Sequence, residues 1–341
     1  ECEVRYIIDD QEKNGFYFKL REAMILLAQL QDELNKLEQK AQEEFEPTEV
    51  QLKTKVKYIP FNIASRKQIA ERLEQRGWVP KAFTEKGSII INEEVLSSIK
   101  KPKEVVPFAQ MFNRYFLLQK RTGLLKSWIN ECQIDNRVRG RVLTLRTITG
   151  RMAHAVPNMA QVPSISSSYG RECRGLWSVD DTAKYRLVGV DASGLELRCL
   201  AHYMAKYDKG EYSNIILTGD VHTTNMEAAG LKTRDQAKTF IYAFLYGAGP
   251  AKIGKIVGGG YKKGTELIED FLSKTPALKR LRSEVNRRIK NKRIKALDGR
   301  ELHIRSEHAA LNTLLQGAGA IICKQWLVHI TEKVNKAGLN A

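Results

Sequence analysis

From Leu20 to Ala41 the apolar residues Leu20, Ala23, Leu27, Leu30, Leu34, Leu37 and Ala41 recur at steps of three and four. That spacing lines them along one stripe of a long helix, which is stable only when the stripe is buried against a partner. A helical hairpin or coiled coil is therefore required near the start of the chain. Residues 46–60 break the period. Ser65 and Gln68 then give a capping-box signal for a short helix ending at Gly77, and another helical stretch follows near Phe108. Across 131–190 the texture turns to short β-rich runs with turn residues, ending in a predicted buried strand, 185–190, just before Asp191. Helical periodicity returns from about residue 195 onward.

With 341 residues, 43% of them hydrophobic and 28% charged, the chain can build a substantial core of two or three subdomains. Lysine and arginine number 56 against 39 acidic residues, a formal charge of +17 that attracts polyphosphate partners. Nucleic acid is the leading partner class and an anionic membrane surface the second. Ten lysines and arginines fall between Lys279 and Arg300, a run that serves equally as a solvated face. The five cysteines, Cys2, Cys132, Cys173, Cys199 and Cys323, are scattered and never spaced as CxxC. Neither a zinc site nor a disulfide framework is expected of them, and they are read as reduced thiols. No apolar run reaches the length that spans a bilayer, and the first residues do not form a signal peptide.

Two segments carry chemistry. In YRLVGVDASGLELRCLAHYM a strand, a tight turn and a helix follow one another, with Leu197, Leu200, Ala201 and Met204 forming the inward stripe of the helix. An aspartate at such a strand end is placed to hold a hard cation through oxygen. Asp191 and Ser193 are equally suited to capping the helix, with Glu196 completing a capping box. The second segment, TRDQAKTFIYAFLYG, opens on a Thr233–Gln236 capping box and closes at Gly247. At about 100° per residue, Arg234, Lys238, Tyr242 and Tyr246 share one face, while Ala237, Phe240, Ile241 and Phe244 form another. Two cations followed by two phenols suit a nucleoside triphosphate lying along the helix.

DASGLELR resembles motif A, and Arg234-x3-Lys238-x6-Tyr246-Gly247 resembles motif B, of the family A DNA polymerases. TGRMAHAVPNMAQVP, KTFIYAFLYGAG and HAALNTLLQGAGAIICK are similar to the replicative members of the phage T-seven group. The resemblance implies an α+β right-hand polymerase fold: palm start at 1–10, thumb at 11–130, palm with motif A at 131–204, fingers with motif B at 205–311, and a palm helix at 312–341. It further implies that Asp191 and the Ala192 carbonyl bind magnesium, two ions in all. His222, Arg234 and Lys238 would hold the triphosphate, Tyr242 would stack at the sugar, and Glu196 would exclude a ribose 2′-hydroxyl. Tyr246 and Gly247 would lie under the templating base. Arg151, Gln161, Asn312 and Gln316 would contact primer-template DNA. For Asn312 and Gln316, one helical turn apart, satisfied core amides are the alternative.

The reaction implied is attack of a primer 3′-hydroxyl on the α-phosphate of a dNTP, in the cytoplasm of an infected bacterial host. Family members bring a second carboxylate on a His-Asp-Glu hairpin, motif C, after the Gln316 helix. Beyond Gln316 the acidic residue here is Glu332, so the palm is expected to be incomplete at its C-terminal end and a second polypeptide to carry motif C. Residues 42–60 leave room for a short connection only, which makes a thioredoxin-binding insertion doubtful, and no editing exonuclease is expected ahead of the palm. Two rivals stand beside this assignment. A single-subunit RNA polymerase is disfavoured by Glu196, where a small residue would be needed. A primer-template binding fragment without catalysis would keep the nucleic-acid contacts and lack half the metal site.

Overall fold

The structure is a computed structural model describing residues 1–51, 56–289 and 291–339. The chain divides into two compact units. One comprises Lys13–Arg141 and Ala155–Leu187. The other comprises Glu1–Glu12, Val142–His154 and Val188–Ala341.

Helix α1 (Cys2–Asn14) leads into strand β1 (Phe16–Phe18). The apolar stripe then builds α2 (Leu20–Glu44), which buries Ala23, Leu26, Leu30, Leu34 and Ala41. A β-hairpin of β2 (Thr48–Gln51) and β3 (Val56–Ile59) occupies the connection where the helical period fails. Helix α3 (Arg66–Gln75) starts at the Ser65 cap, but half of the expected capping box is redirected, because Gln68 bonds the Asn62 amide in place of the Ser65 amide. Ser65 Oγ accepts from the Gln68 amide at 3.4 Å, and Gln68 Oε1 reaches back to the Asn62 amide at 2.6 Å. After the short α4 (Glu93–Ser98) comes α5 (Val106–Asn130), the partner that α2 needs. Phe112, Leu118, Leu125 and Trp128 on α5 are fully buried. Each side chain of that size contributes about 1.5–3 kcal/mol on burial, so the α2–α5 pair is the backbone of this unit.

The remaining strands are short: β4 (Arg137–Val138), β5 (Arg141–Leu143), β6 (Ala153–Ala155) and, after α6 (Gly170–Gly175), β7 (Trp177–Ser178). β1 is the centre of an antiparallel sheet of order β4-β1-β7, with Phe16 opposite Val138 and Phe18 opposite Trp177. This sheet packs Phe18 and Trp177 on Trp128, with ring centroids 4.8 to 6.3 Å apart.

Residues 185–190 are not a strand. A strand needs a neighbour for its N–H and C=O groups, and among the described residues no strand pairs with this segment. Leu187, Val188 and Val190 are 55%, 82% and 64% exposed.

The second unit is mostly helical. It runs through α7 (Leu195–Asp208), α8 (Glu211–Thr218), α9 (Val221–Ala229), α10 (Arg234–Leu245), α11 (Pro250–Ile256), α12 (Tyr261–Lys274) and α13 (Pro276–Arg287). The hairpin β8 (Arg293–Lys295) and β9 (Glu301–His303) sets Ile294 opposite Leu302 and turns the chain into α14 (Ala310–Lys336). α11 and α12 approach backbone to backbone: a Cβ on Gly264 would lie 1.8 Å from the Pro250 carbonyl oxygen. α14 ends as its sequence suggests, with Gly338 at φ +62 and its amide bonded to the Asn335 carbonyl at 3.1 Å. Among the described residues no helix is long and apolar enough to cross a membrane, and the five cysteines are free thiols.

Candidate active site

Helix α10 forms as its sequence dictates. Thr233 caps it, its hydroxyl accepting from the Gln236 amide at 3.2 Å. Ala237, Phe240, Ile241 and Phe244 are buried, with Phe240 packed edge-on against Phe271 at 5.0 Å. Those side chains hold the opposite face outward. Arg234 and Lys238 are exposed, Tyr242 is half-buried, and Tyr246 is 45% exposed at the C-cap. The Tyr242 and Tyr246 rings stack at 6.4 Å, and His222 on α9 lies 6.3 Å from Tyr242. Gly247 is required where it stands. It adopts φ +74, and a Cβ there would meet the His308 carbonyl oxygen at 2.8 Å.

The start of α7 differs from expectation. The cap position is Gly194, at φ +59, with no side-chain cap bond. This glycine sits one residue nearer the helix than Ser193, so Ser193 and Glu196 are out of register for a capping box. Instead the Ser193 carbonyl accepts from Arg198 Nε at 2.8 Å. Glu196 is thereby free to accept from the Tyr246 hydroxyl at 3.2 Å, a bond that ties α7 to the end of α10. Burial first, and then the Glu196 charge, push the Tyr246 phenol up, which keeps it a donor; Arg151 opposes that shift. Burial, followed by Glu196, pushes Tyr242 up as well.

Glu196 lines a cavity of about 280 Å³ together with Arg151, Gln316, Cys323 and Lys324. Arg151, Glu196 and Gln316, far apart in sequence, thus share one opening. Asp191 is exposed just ahead of α7, and its charge is felt at the Cys323 thiol in the same cavity. Asn312 sits half-buried one turn before Gln316 on α14. His222, Arg234 and Lys238 lie outside the cavity lining, and the charges of Arg234 and Lys238 are both felt at the His222 ring. The His222 imidazole is pushed down, first by burial and then by Arg234, and its Nδ1 is buried without a hydrogen-bond partner. Gln161 belongs to the other unit, where it ends the 3-10 turn Met159–Gln161. A larger cavity, about 510 Å³ and lined by Tyr203, Tyr207 and Arg293 among others, contains none of these predicted residues.

The family model for DNA polymerase family A matches residues 31–341. The chain belongs to DNA polymerase family A. It is 44% identical over 312 residues to the DNA-directed DNA polymerases of Enterobacteria phage T3 and Escherichia phage T7. Those alignments cover 84% of this chain and 44% of each relative, so the chain spans under half the length of these curated relatives. DNA polymerase I of Geobacillus stearothermophilus is 24% identical over 306 residues, covering 82% of this chain and 34% of its own length. In fold the chain resembles the solved POL domain of Pol1 from M. smegmatis, described in complex with DNA primer-template and dNTP. The TM-score is 0.82 at 19% identity, covering 100% of this chain and 61% of that one. The architecture is the α+β right-hand polymerase fold.

Within this family A polymerase chain, the described residues contain no group of three or more His, Cys, Asp or Glu side chains that could hold a metal ion. Asp191 is an exposed carboxylate just ahead of α7. Magnesium takes one or two carboxylates, waters and substrate phosphates. Sequence reasoning missed three further residues, Cys323, Lys324 and Asp220. Cys323 and Lys324 follow Gln316 by two helical turns, and helix periodicity from Gln316 places them near the same opening. Asp220 carried a local signal too, as a cap-type residue directly before α9.

Proposed function

We propose that the chain forms the nucleotide-binding and primer-template-binding part of a DNA-directed DNA polymerase, in which Asp191 supplies one of the metal-binding carboxylates. The observation that carries this is the Tyr246–Glu196 bond, which joins the helix bearing Arg234, Lys238 and Tyr242 to the cavity of Arg151 and Gln316. In this arrangement Arg234, Lys238 and His222 hold the triphosphate, and Tyr242 packs on the sugar. Glu196 occupies the 2′ side of that sugar and so discriminates against ribonucleotides. Tyr246 and Gly247 support the templating base. Arg151 senses the minor-groove acceptors shared by correct pairs, with Gln161, Asn312 and Gln316 on the duplex.

Two magnesium ions, when bound, would stabilise the attacking and leaving oxygens of an in-line displacement. Asp191 and the Ala192 carbonyl would hold them from this side. A second carboxylate, which the family resemblance implies on a His-Asp-Glu hairpin, would complete the centre, on the same polypeptide or on a second one. Residues 1–10, 131–204 and 312–341 are assigned to the palm, 11–130 to the thumb and 205–311 to the fingers. The place of action is the cytoplasm of an infected bacterial host.

A second reading keeps the cavity of Arg151 and Gln316 as a primer-template binding site without catalysis. Primer extension separates the two. The purified chain is expected to bind primer-template and extend it negligibly, and to gain magnesium-dependent synthesis when a polypeptide bearing the hairpin is added. Robust extension by the chain alone would contradict the assignment of a missing carboxylate. Persistent inactivity of the mixture, against an active complete polymerase, would favour the binding fragment.

A further inference from the structure

Asp220 was not among the residues expected at the site, yet one carboxylate there gathers four donors. Its Oδ1 accepts from the His222 amide at 3.0 Å and its Oδ2 from the Thr223 hydroxyl at 2.8 Å, which caps α9. The same two oxygens accept a fork from Arg234 at the first turn of α10. Arg234 Nε donates to Oδ2 at 2.7 Å and Nη2 to Oδ1 at 3.2 Å. A paired-oxygen, paired-nitrogen fork fixes the plane of a guanidinium as a single bond cannot.

The consequence is geometric. Asp220 pins the first turn of α9, which carries His222, to the first turn of α10, which carries Arg234 ahead of Lys238 and Tyr242. A guanidinium has five N–H donors, and two of Arg234's go to Asp220. Those on Nη1 point away from that fork and stay available to a phosphate. Arg234 and Asp220 are 52% and 43% exposed in their side chains, so the pair lies where a ligand can reach it. Left to itself, a long arginine at a helix start would sample many rotamers, and each phosphate contact would carry the entropy cost of choosing one. Arg234, and then Thr223, hold the Asp220 carboxyl well below the ordinary carboxylate range, so the clamp is charged at any working pH.

We propose that Asp220 is a positioning residue for the incoming nucleoside triphosphate, acting through Arg234 and the His222 end of α9 and touching no substrate itself. This rests on the proposed nucleotide site. A carboxylate beside a triphosphate site could instead act as a competing counter-ion that the nucleotide must displace. The two roles differ in sign: removing a positioning group weakens nucleotide binding, whereas removing a competitor strengthens it.

The test is single-turnover dNTP incorporation by the complete polymerase, with Kd for the nucleotide and the maximal rate measured separately. Asp220→Asn keeps a good helix cap and removes the charged fork acceptor; Asp220→Ser keeps a cap and removes one oxygen. Both are expected to raise Kd for dNTP about tenfold, equivalent to about 1.4 kcal/mol, while the maximal rate changes less than threefold. Arg234→Ala is expected to raise Kd further, and Asp220→Asn in that background to add less than twofold, because its effect travels through the arginine. An unchanged or lower Kd in Asp220→Asn, or multiplicative effects in the double variant, overturns the positioning role while leaving the site assignment intact. An Arg234→Ala variant that binds dNTP normally overturns the site assignment and the role with it.

Discussion

Glu196 and Tyr246 show what a single hydrogen bond decides at this site. If Glu196 lies on the 2′ side of the sugar, Glu196→Ala should raise ribonucleotide incorporation at least tenfold in the complete polymerase. Tyr246→Phe, which removes the bond at 3.2 Å and leaves the carboxylate in place, should retain most of the discrimination. Incorporation ratios for matched rNTP and dNTP pairs measure both, and unchanged ratios in Glu196→Ala would remove the sugar-gate role. The residues legible in sequence were those whose chemistry is displayed by one helix: Arg234, Lys238, Tyr242 and Tyr246 follow from the period of α10 alone. Asp220 was not, because its meaning lies in a partner fourteen residues away on the next helix. Gly194 was passed over for a different reason. Ser193 and Glu196 satisfy the letter of a capping box, and only the left-handed φ of +59 moves the cap one residue on.

Among elements, α2 was the clearest in sequence, and its apolar stripe does face α5. The stripe did not reveal the polar lock beside it. Glu33 Oε1 and Oε2 accept from Arg114 Nε and Nη2 at 2.6 and 2.9 Å, and Oε2 also accepts from the Tyr169 hydroxyl at 2.8 Å. Arg114, ahead of an opposing desolvation effect, holds the Glu33 carboxyl below its ordinary 4.5. Stability from a depressed carboxyl is present above that ordinary value and is lost as pH falls through the lower folded one. Glu33→Gln should therefore flatten the decline in stability below about pH 4.5 and cost about 0.5–1 kcal/mol at neutral pH, the pair being partly exposed. Urea melts across pH 3–7 measure both, and identical acid slopes in the two proteins would rule the lock out as a source of stability. The predicted strand at 185–190 fails for the converse reason. Its apolar run, Leu187, Val188 and Val190, is real, but a strand is made by its neighbours, and none pairs with it among the described residues.

At the scale of the whole molecule, the +17 charge favours a polyanionic partner, and primer-template DNA is the partner proposed. Binding through lysine and arginine releases counterions, so affinity should fall on the order of 10³-fold between about 50 and 200 mM salt if six or more phosphates are contacted. A titration that is flat over that range would argue against a cationic DNA track. The family and fold class were readable because family motifs occur along nearly the whole chain. The division into two units was not, since 142–154 returns to join 188–341 while 155–187 goes back to 13–141. No local period records such an exchange.

We propose that Asp191 is a metal-binding carboxylate of the catalytic centre and no part of the DNA grip. Primer extension and primer-template affinity should be measured side by side in the complete polymerase and its Asp191→Ala variant, with magnesium present. Synthesis is expected to fall by a factor on the order of 10³ or more while DNA affinity stays within about twofold. Synthesis that persists in Asp191→Ala, or that is lost only in proportion to DNA binding, would contradict the claim.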